Sequence, residues 1–553
     1  MSEDPTRLVI MARALQAAAD EMAANLIRSA FSAVVREARD CSTALLDAEG
    51  RVVAQADMIP MQTAALSESF RCAAEQLDLS GVGPGHAVIL NDPYSGGQHL
   101  NDIILFMPII HDGTLIGWSG STAHHLDIGG GSVGVNSGAT ELIQEGLVIP
   151  PLLIEVDRDW FGGMIERLVF ANIRTKEIGL GDMNAQFAAN HIGRERVLEM
   201  AGRYGVATLR AAMEEVLDYS ERRMRAAISE LPDGTWAGEA FLDGSPEEGG
   251  PVRVVATVTI RGDEAILDFT GTAPQVRGMF NCPVASSAAG ALTALRCVLA
   301  DKDMPANDGC NRPITMIFPE GSILNPRPGA PVRARATASA RALDAVHAAL
   351  DQVIPDQVPA QGSNSTTGFY LARQRDGGGV DVHLDILGGG WGAARGYDAI
   401  HATDHVLSSC RLTPVESIEQ LNSFLLVESF GLVPDSWGAG EFNGGLGMYR
   451  RYRMRADDVA LSLYSDHFVL PPRGHQHGHD AALARLTVER DGEAITLGAT
   501  SRITLDRDDV VEISVSGGAG WGNPRKRDRG AVAEDMADGL ISPEFARRTY
   551  GWT

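Results

Sequence analysis

Lysine is almost missing from this chain. Lys176, Lys302 and Lys526 are the only lysines among 47 basic residues. None lies in a G-x-x-x-x-G-K-[S/T] context, so the chain has no phosphate loop of the Walker type. Positive charge is scarce overall: 47 Lys and Arg stand against 72 Asp and Glu, a formal net charge of -25. A nucleic-acid binder needs a cationic footprint, and so does docking on an anionic membrane, so neither is the expected function. Cysteine is also sparse. Cys41, Cys72, Cys282, Cys297, Cys310 and Cys410 show no C-x-x-C spacing, which fits reduced thiols in a cytoplasmic protein and not a disulfide framework. Long apolar runs are absent. The longest, from Ile103 to Ile110, is about eight residues against the ~20 of a membrane helix. The acidic start, Met1-Ser2-Glu3-Asp4-Pro5, lacks a signal-peptide layout. The expected location is therefore cytoplasmic.

Glycine, by contrast, is abundant, with 61 of 553 residues. That predicts many tight turns and loops lined by backbone. Residues 7–34 read as one long amphipathic helix, started by Asp4 and Pro5. Residues 43–56 read as a hairpin, 64–77 as a helix, and 86–123 as strands with a turn at His111-Asp112-Gly113. Residues 180–229 read as helix, broken near Gly202 to Gly205. Composition changes over 231–251, and alternating β sequence, a helix at 285–299 and glycine-rich loops follow. The tail reads as two short helices, the second capped by Ser542 ahead of Pro543. The fold class is α+β: a large, β-rich, multi-domain chain with a long N-terminal helix, a hairpin region carrying the chemistry, and a short helical tail. The expected divisions are 1–235, 236–525 and 526–553.

Chemistry is densest in two stretches: Asn91 to Asp102, and Ala123 to Gly130. If Ile110 pairs near Thr114, Asp102 faces about Thr122 and His99 faces about His125, with cross-strand neighbours ~5 Å apart. The two clusters then converge at the open end of one hairpin. Two imidazoles and a carboxylate suit Zn, Mn or Fe. The same residues also read as a hydrogen-bonded polar loop with structural histidines, and spacing alone leaves both open. Gly130-Gly131-Ser132-Val133-Gly134 matches a nucleophile-elbow pattern, but no strand leads into it and no helix follows.

At these residues the sequence resembles the hydantoinase B/oxoprolinase family, the partner subunits of ATP-dependent cyclic-amide hydrolases. That family includes one subunit of the acetone and acetophenone carboxylases. The resemblance rests on Arg36-Glu37-Ala38-Arg39-Asp40-Cys41-Ser42, Asn91 to Asp102, Ala123 to Gly130, Gln144-Glu145-Gly146-Leu147, Gly181 to Gln186, and Asn281-Cys282-Pro283. It continues through Gly389-Gly390-Trp391-Gly392 to Gly517 to Pro524 and spans nearly the whole chain.

The resemblance implies a divalent metal held by His99, Asp102 and His124, with Asp40 as a further ligand. Zinc is the first choice, and manganese or iron the alternatives. It implies that His125 and Asp127 orient the ligands. It implies a hydantoinase A-type ATPase partner in an (αβ)2 hetero-oligomer, with ATP and Mg on that partner. The partner would phosphorylate the amide oxygen of a hydantoin, N-methylhydantoin, 5-oxoproline or lactam. This chain would then activate the attacking water. On carboxylate chemistry, Glu37, Asp92 and Asp127 are the general-base candidates. The alternatives are a subunit of an ATP-dependent acetone-type carboxylase, or a non-catalytic scaffold. The sequence departs from the family in three places. Relatives usually carry Pro-x-His where this chain has Pro60-Met61-Gln62, and Arg-Gly-Gly where it has Asn443-Gly444-Gly445; its loop at 474–479 is unusually rich in His.

Overall fold

The computed structural model describes residues 5–244, 249–300, 303–375 and 377–553. The expected cap at Asp4 and the Ser245 to Glu248 part of the expected break lie outside them. The elements form a mixed α+β architecture with four sheets. Among the described residues no helix is long and apolar enough to cross a membrane.

The first sheet carries the chemistry. Its strands are β1 (Cys41–Asp47), β2 (Val52–Gln55), β3 (His86–Leu90), β4 (Asp102–His111), β5 (Thr114–His124) and β6 (Leu152–Glu155). They lie in the order β2-β1-β5-β4-β3-β6, with every pair antiparallel. Both faces are covered, which is why β1 and most of β4 are continuous buried runs without alternation. Gly117 of β5 belongs there for contact reasons: a Cβ on it would stand 2.1 Å from the Leu46 carbonyl oxygen on β1.

One face of this sheet is covered by the helix Lys176–Tyr204. Its inward row is polar. Asp182, Gln186 and Asn190, each four residues apart, are fully buried. Asn190 Nδ2 donates to Leu105 O (2.9 Å), and Gln186 Nε2 donates to Ile103 O (3.0 Å). Asp182 Oδ1 accepts from Phe31 N (2.7 Å) and Ser32 N (3.0 Å). That carboxylate ends the first helix, which runs Pro5–Ser29 and not to residue 34. A separate turn, Ala33–Arg36, restarts under the Ser32 cap. The break after Tyr204 falls at Gly205, whose φ of 83° suits glycine.

The second sheet joins Gly234–Leu242, Val252–Arg261, Glu264–Asp268 and Ile314–Ile317. The helix Arg335–Leu350 packs on it, with Val284–Leu299 alongside. The sequence pattern does not announce Arg335–Leu350. It is buried on nearly all sides, so it shows no amphipathic stripe.

The last two sheets face each other across a shared apolar core that includes Phe369, Leu371, Tyr452, Leu461 and Ile513. Strand alternation sends Tyr370, between Phe369 and Leu371, to the opposite side. There it joins the largest core, which runs from Met11 to Tyr464. That core crosses the division expected at 235, since Ile228, Leu231, Ala240 and Leu242 all belong to it. The tail docks through Val532, Ile541, Phe545 and Tyr550, and the Tyr550 hydroxyl donates to Asn443 Oδ1 (2.7 Å).

Candidate metal centre

The hairpin register sets Asp102 directly opposite His124. The spacing argument expected Thr122 there, and His125 opposite His99. Two features move the partner by two residues. The turn takes only Asp112 and Gly113, with His111 paired to Thr114, and a bulge between Ile109 and Ile110 adds a residue to β5. His99 reaches the same point through a tight turn in which Asp102 N donates to His99 O (3.0 Å). His99 Nδ1 lies 3.2 Å from Asp102 Oδ2. The rings of His99 and His124 meet edge to face, with centroids 4.8 Å apart. Ligand atoms of His99, Asp102 and His124 all fall within 4.8 Å of one another, and all three residues are buried.

Asp40 approaches from the segment before β1. Arg39 takes a left-handed backbone there (φ 60°), a costly conformation for a side chain with a Cβ, and this turns the chain into the site. Asp40 Oδ2 lies 3.3 Å from His124 Nδ1, and Gln62 Nε2 donates to Asp40 Oδ1 (2.8 Å). Arg335, the first residue of its helix, donates from Nη2 to Asp102 Oδ2 (2.6 Å) and Gln98 Oε1 (3.0 Å). Its Nε donates to Ser286 Oγ (3.2 Å).

Electrostatics follow from burial. It holds the His124 imidazole down to about 4. It also holds His99 well below the usual imidazole range, helped by the charge of Arg335. Burial, with the charge of Asp102, pushes the Asp40 carboxyl up to about 8. Both imidazoles are therefore neutral at pH 7, with lone pairs available. His99 Nδ1 and His124 Nε2 are buried without a hydrogen-bond partner. Orphaned imidazole nitrogens beside a carboxylate are the donor set that divalent Zn, Mn or Fe takes, so the residues fit the implied metal.

The site opens on a cavity of about 40 Å³. Asp40, Gln62, His99, His124, Arg333 and Tyr370 line it. None of the base candidates drawn from the sequence reaches it. Glu37 pairs with Arg36 (3.0 Å). Asp92 accepts from Tyr94 N (3.0 Å) and Ser95 Oγ (2.8 Å) and so caps a 3-10 turn. Asp127 accepts from the main-chain nitrogens of Gly129, Arg174 and Thr175 and pairs with the Arg174 guanidinium (3.3 Å). All three hold local structure. His125 turns away from the cluster: its Nε2 bonds to Gln186 Oε1 (3.0 Å), and its main-chain N donates to Asn101 O (2.8 Å). It braces the loop that carries His99. Arg333 and Arg335 escape a reading of the sequence because they sit in an apolar stretch with no polar motif around them.

A family model described as hydantoinase B/oxoprolinase matches residues 4–524. The chain belongs to that family. A protein of Pseudomonas sp. (strain NS671), described as the putative second subunit of a D-/L-hydantoinase, is 31% identical over 570 residues, spanning 100% of this chain and 95% of that one. The beta chain of the caprolactamase of Pseudomonas jessenii is 30% identical over 566 residues, spanning 99% and 96%. The crystal structure of ATP-dependent caprolactamase from that organism superposes with a TM-score of 0.91 at 27% identity, covering 100% of this chain and 96% of the matched one. A nucleotide-free acetone carboxylase chain superposes with a TM-score of 0.90 at 19% identity, covering 99% and 80%, a likeness of fold. Within this hydantoinase B/oxoprolinase member, the departure at Pro60-Met61-Gln62 lands inside the site. Gln62, where the family usually has His, touches both Asp40 and Asp102 (2.8 and 3.4 Å).

Proposed function

We propose that this chain is the metal-containing subunit of an ATP-dependent cyclic-amide hydrolase. The observation that carries the reading is the meeting of two neutral, orphaned imidazoles with Asp102 beside a buried cavity, in a hydantoinase B/oxoprolinase chain. The hydantoinase and caprolactamase subunits among its relatives support the substrate class, a hydantoin or lactam ring. Their names as subunits support a partner, and the missing phosphate loop argues for ATP on that partner, of the hydantoinase A type. Phosphorylation of the amide oxygen there turns a poor electrophile into one with a good leaving group.

His99, Asp102 and His124 hold the metal. A divalent cation at this point supplies Lewis acidity and makes water a usable nucleophile near neutral pH. Asp40 is the carboxyl group that lines the cavity, and its raised pKa suits it to take the proton from the attacking water at Oδ2. Gln62 fixes Asp40 from the other oxygen. Arg335 anchors Asp102 from below. The apolar walls formed by Ile59, Met61 and Leu407 restrict bulk water.

The test is co-purification with the partner ATPase, followed by ATP-dependent ring opening of hydantoin, 5-oxoproline and lactams. His99→Ala and His124→Ala should each lose the metal by elemental analysis, abolish turnover and leave the circular dichroism spectrum intact. A strict bicarbonate requirement with ketone substrates would replace this reading with the carboxylase one. Full metal occupancy in both variants would remove the ligand assignment.

A further inference from the structure

Arg333 carries a charge that its surroundings do not balance. The residue is 4% exposed. Other buried arginines have carboxylates: Arg335 has Asp102 at 2.6 Å, Arg450 has Asp385 at 2.5 Å and Arg341 has Asp344 at 3.3 Å. Among the described residues, Arg333 has no ion pair within 4.0 Å. Glu145 is near, but its two oxygens accept from the main-chain nitrogens of Val332 (3.1 Å) and Arg333 (2.9 Å). The guanidinium donates from Nη2 to the Tyr370 hydroxyl and lies over that ring, 5.4 Å from its centroid. Its Nε is buried without a partner. Arg333 and Tyr370 both line the cavity of the metal centre, together with His99 and His124.

An unpaired guanidinium in a dry cavity is unfavourable unless an anion completes it. We propose that Arg333, with Tyr370, forms an oxyanion subsite that takes the phosphoryl group of the phosphorylated substrate; the source of that group rests on the function proposed above. The guanidinium fork matches two phosphoryl oxygens at once. Arg335 does not compete for this role, because Asp102 already engages it. The carboxylates of Asp40 and Asp102 repel a phosphoryl group, so Arg333 defines the end of the cavity where it lies. The carbon to be attacked then points toward His99 and His124. As the leaving phosphate gains charge, the same guanidinium stabilises it.

The experiment is titration of inorganic phosphate into the full-length chain, metal-free and zinc-loaded, followed by calorimetry. Wild type should bind phosphate in the metal-free form. Arg333→Gln should weaken binding about tenfold or more, and Arg333→Lys should recover part of it. Arg327→Gln, at an exposed arginine, should change nothing. Should Arg333→Gln fail to fold, Tyr370→Phe is read in its place, with an expected loss of about threefold. Equal phosphate affinity in wild type and Arg333→Gln overturns the proposal, as does no binding to wild type. Bicarbonate that binds while phosphate fails to displace it overturns the phosphoryl assignment. The titration uses no lactam or nucleotide, so it stands or falls separately from the ring-opening assay.

Discussion

Removing Arg335 isolates the electrostatics of the site. Its guanidinium meets Asp102 at 2.6 Å, and both side chains are nearly fully buried, at 7% and 0% exposure. Arg335→Met keeps much of the apolar stem and deletes the charge. Asp102 is then a buried carboxylate facing Asp40 without its cation. Breaking a buried pair from one side costs roughly 3–5 kcal/mol, mostly as the uncompensated charge that remains. A protein with several packed sheets does not give one clean unfolding free energy, so the assay must be local. Hydrogen exchange of the peptide spanning 102–106 reads the opening of the hairpin directly. At 1.36 kcal/mol per decade, the metal-free variant should exchange there about 10²-fold faster or more. Peptides in the five-stranded sheet, around Val510–Ser514, should not change. Zinc brings positive charge to the same carboxylate, so saturating zinc should slow exchange in the variant more than in wild type. Exchange at 102–106 within about threefold of wild type in metal-free protein, or an equal zinc effect in both, would refute the reasoning.

Two further outcomes follow from the same structure. Gln62→His places a third imidazole against Asp40 and Asp102, the contacts that Gln62 Nε2 makes at 2.8 and 3.4 Å. Four-ligand zinc sites are worth about 10–16 kcal/mol in total, so one added donor should tighten zinc by about 10²-fold in a chelator competition; unchanged or weaker affinity counts against the donor set. His383 gives a pH prediction away from the metal. Burial holds its imidazole down to about 4, and the residue is 4% exposed. Between about pH 6.5 and 4 the unfolded chain takes a proton that the folded chain refuses, so stability falls as pH falls through that window. The term is about 3 kcal/mol in full, and His383→Leu should remove it. Identical pH profiles for the two proteins over that window, by chemical denaturation monitored at the strand Val380–Leu387, would contradict it.

The elements legible in the sequence were those coded locally. The two-residue turn at Asp112 and Gly113, with φ of 48° and 76°, is announced by Asp-Gly between apolar runs. Ser542 caps its helix as its spacing to Pro543 implies. What escaped depended on distant contacts. The first helix stops at Ser29 because Asp182, about 150 residues away, takes its next amides. The hairpin register differs from the expected one by a bulge that no single residue type signals. Glu37, Asp92 and Asp127 looked like bases because any carboxylate near a motif does; each proved to be holding a turn or an arginine.

The sequence by itself determined the residue types: imidazoles and carboxylates on one hairpin, no phosphate loop, and a family whose motifs run the length of the chain. Hairpins and caps are short-range, so their side chains can be placed from spacing and turn chemistry. Only the tertiary structure decided which groups share the cavity. Arg335 meets Asp102 across 233 positions of sequence, and Arg333 reaches the same cavity without a carboxylate of its own. Burial did the rest, since it neutralises His99 and His124 and raises Asp40, and burial is set by elements that no local pattern connects.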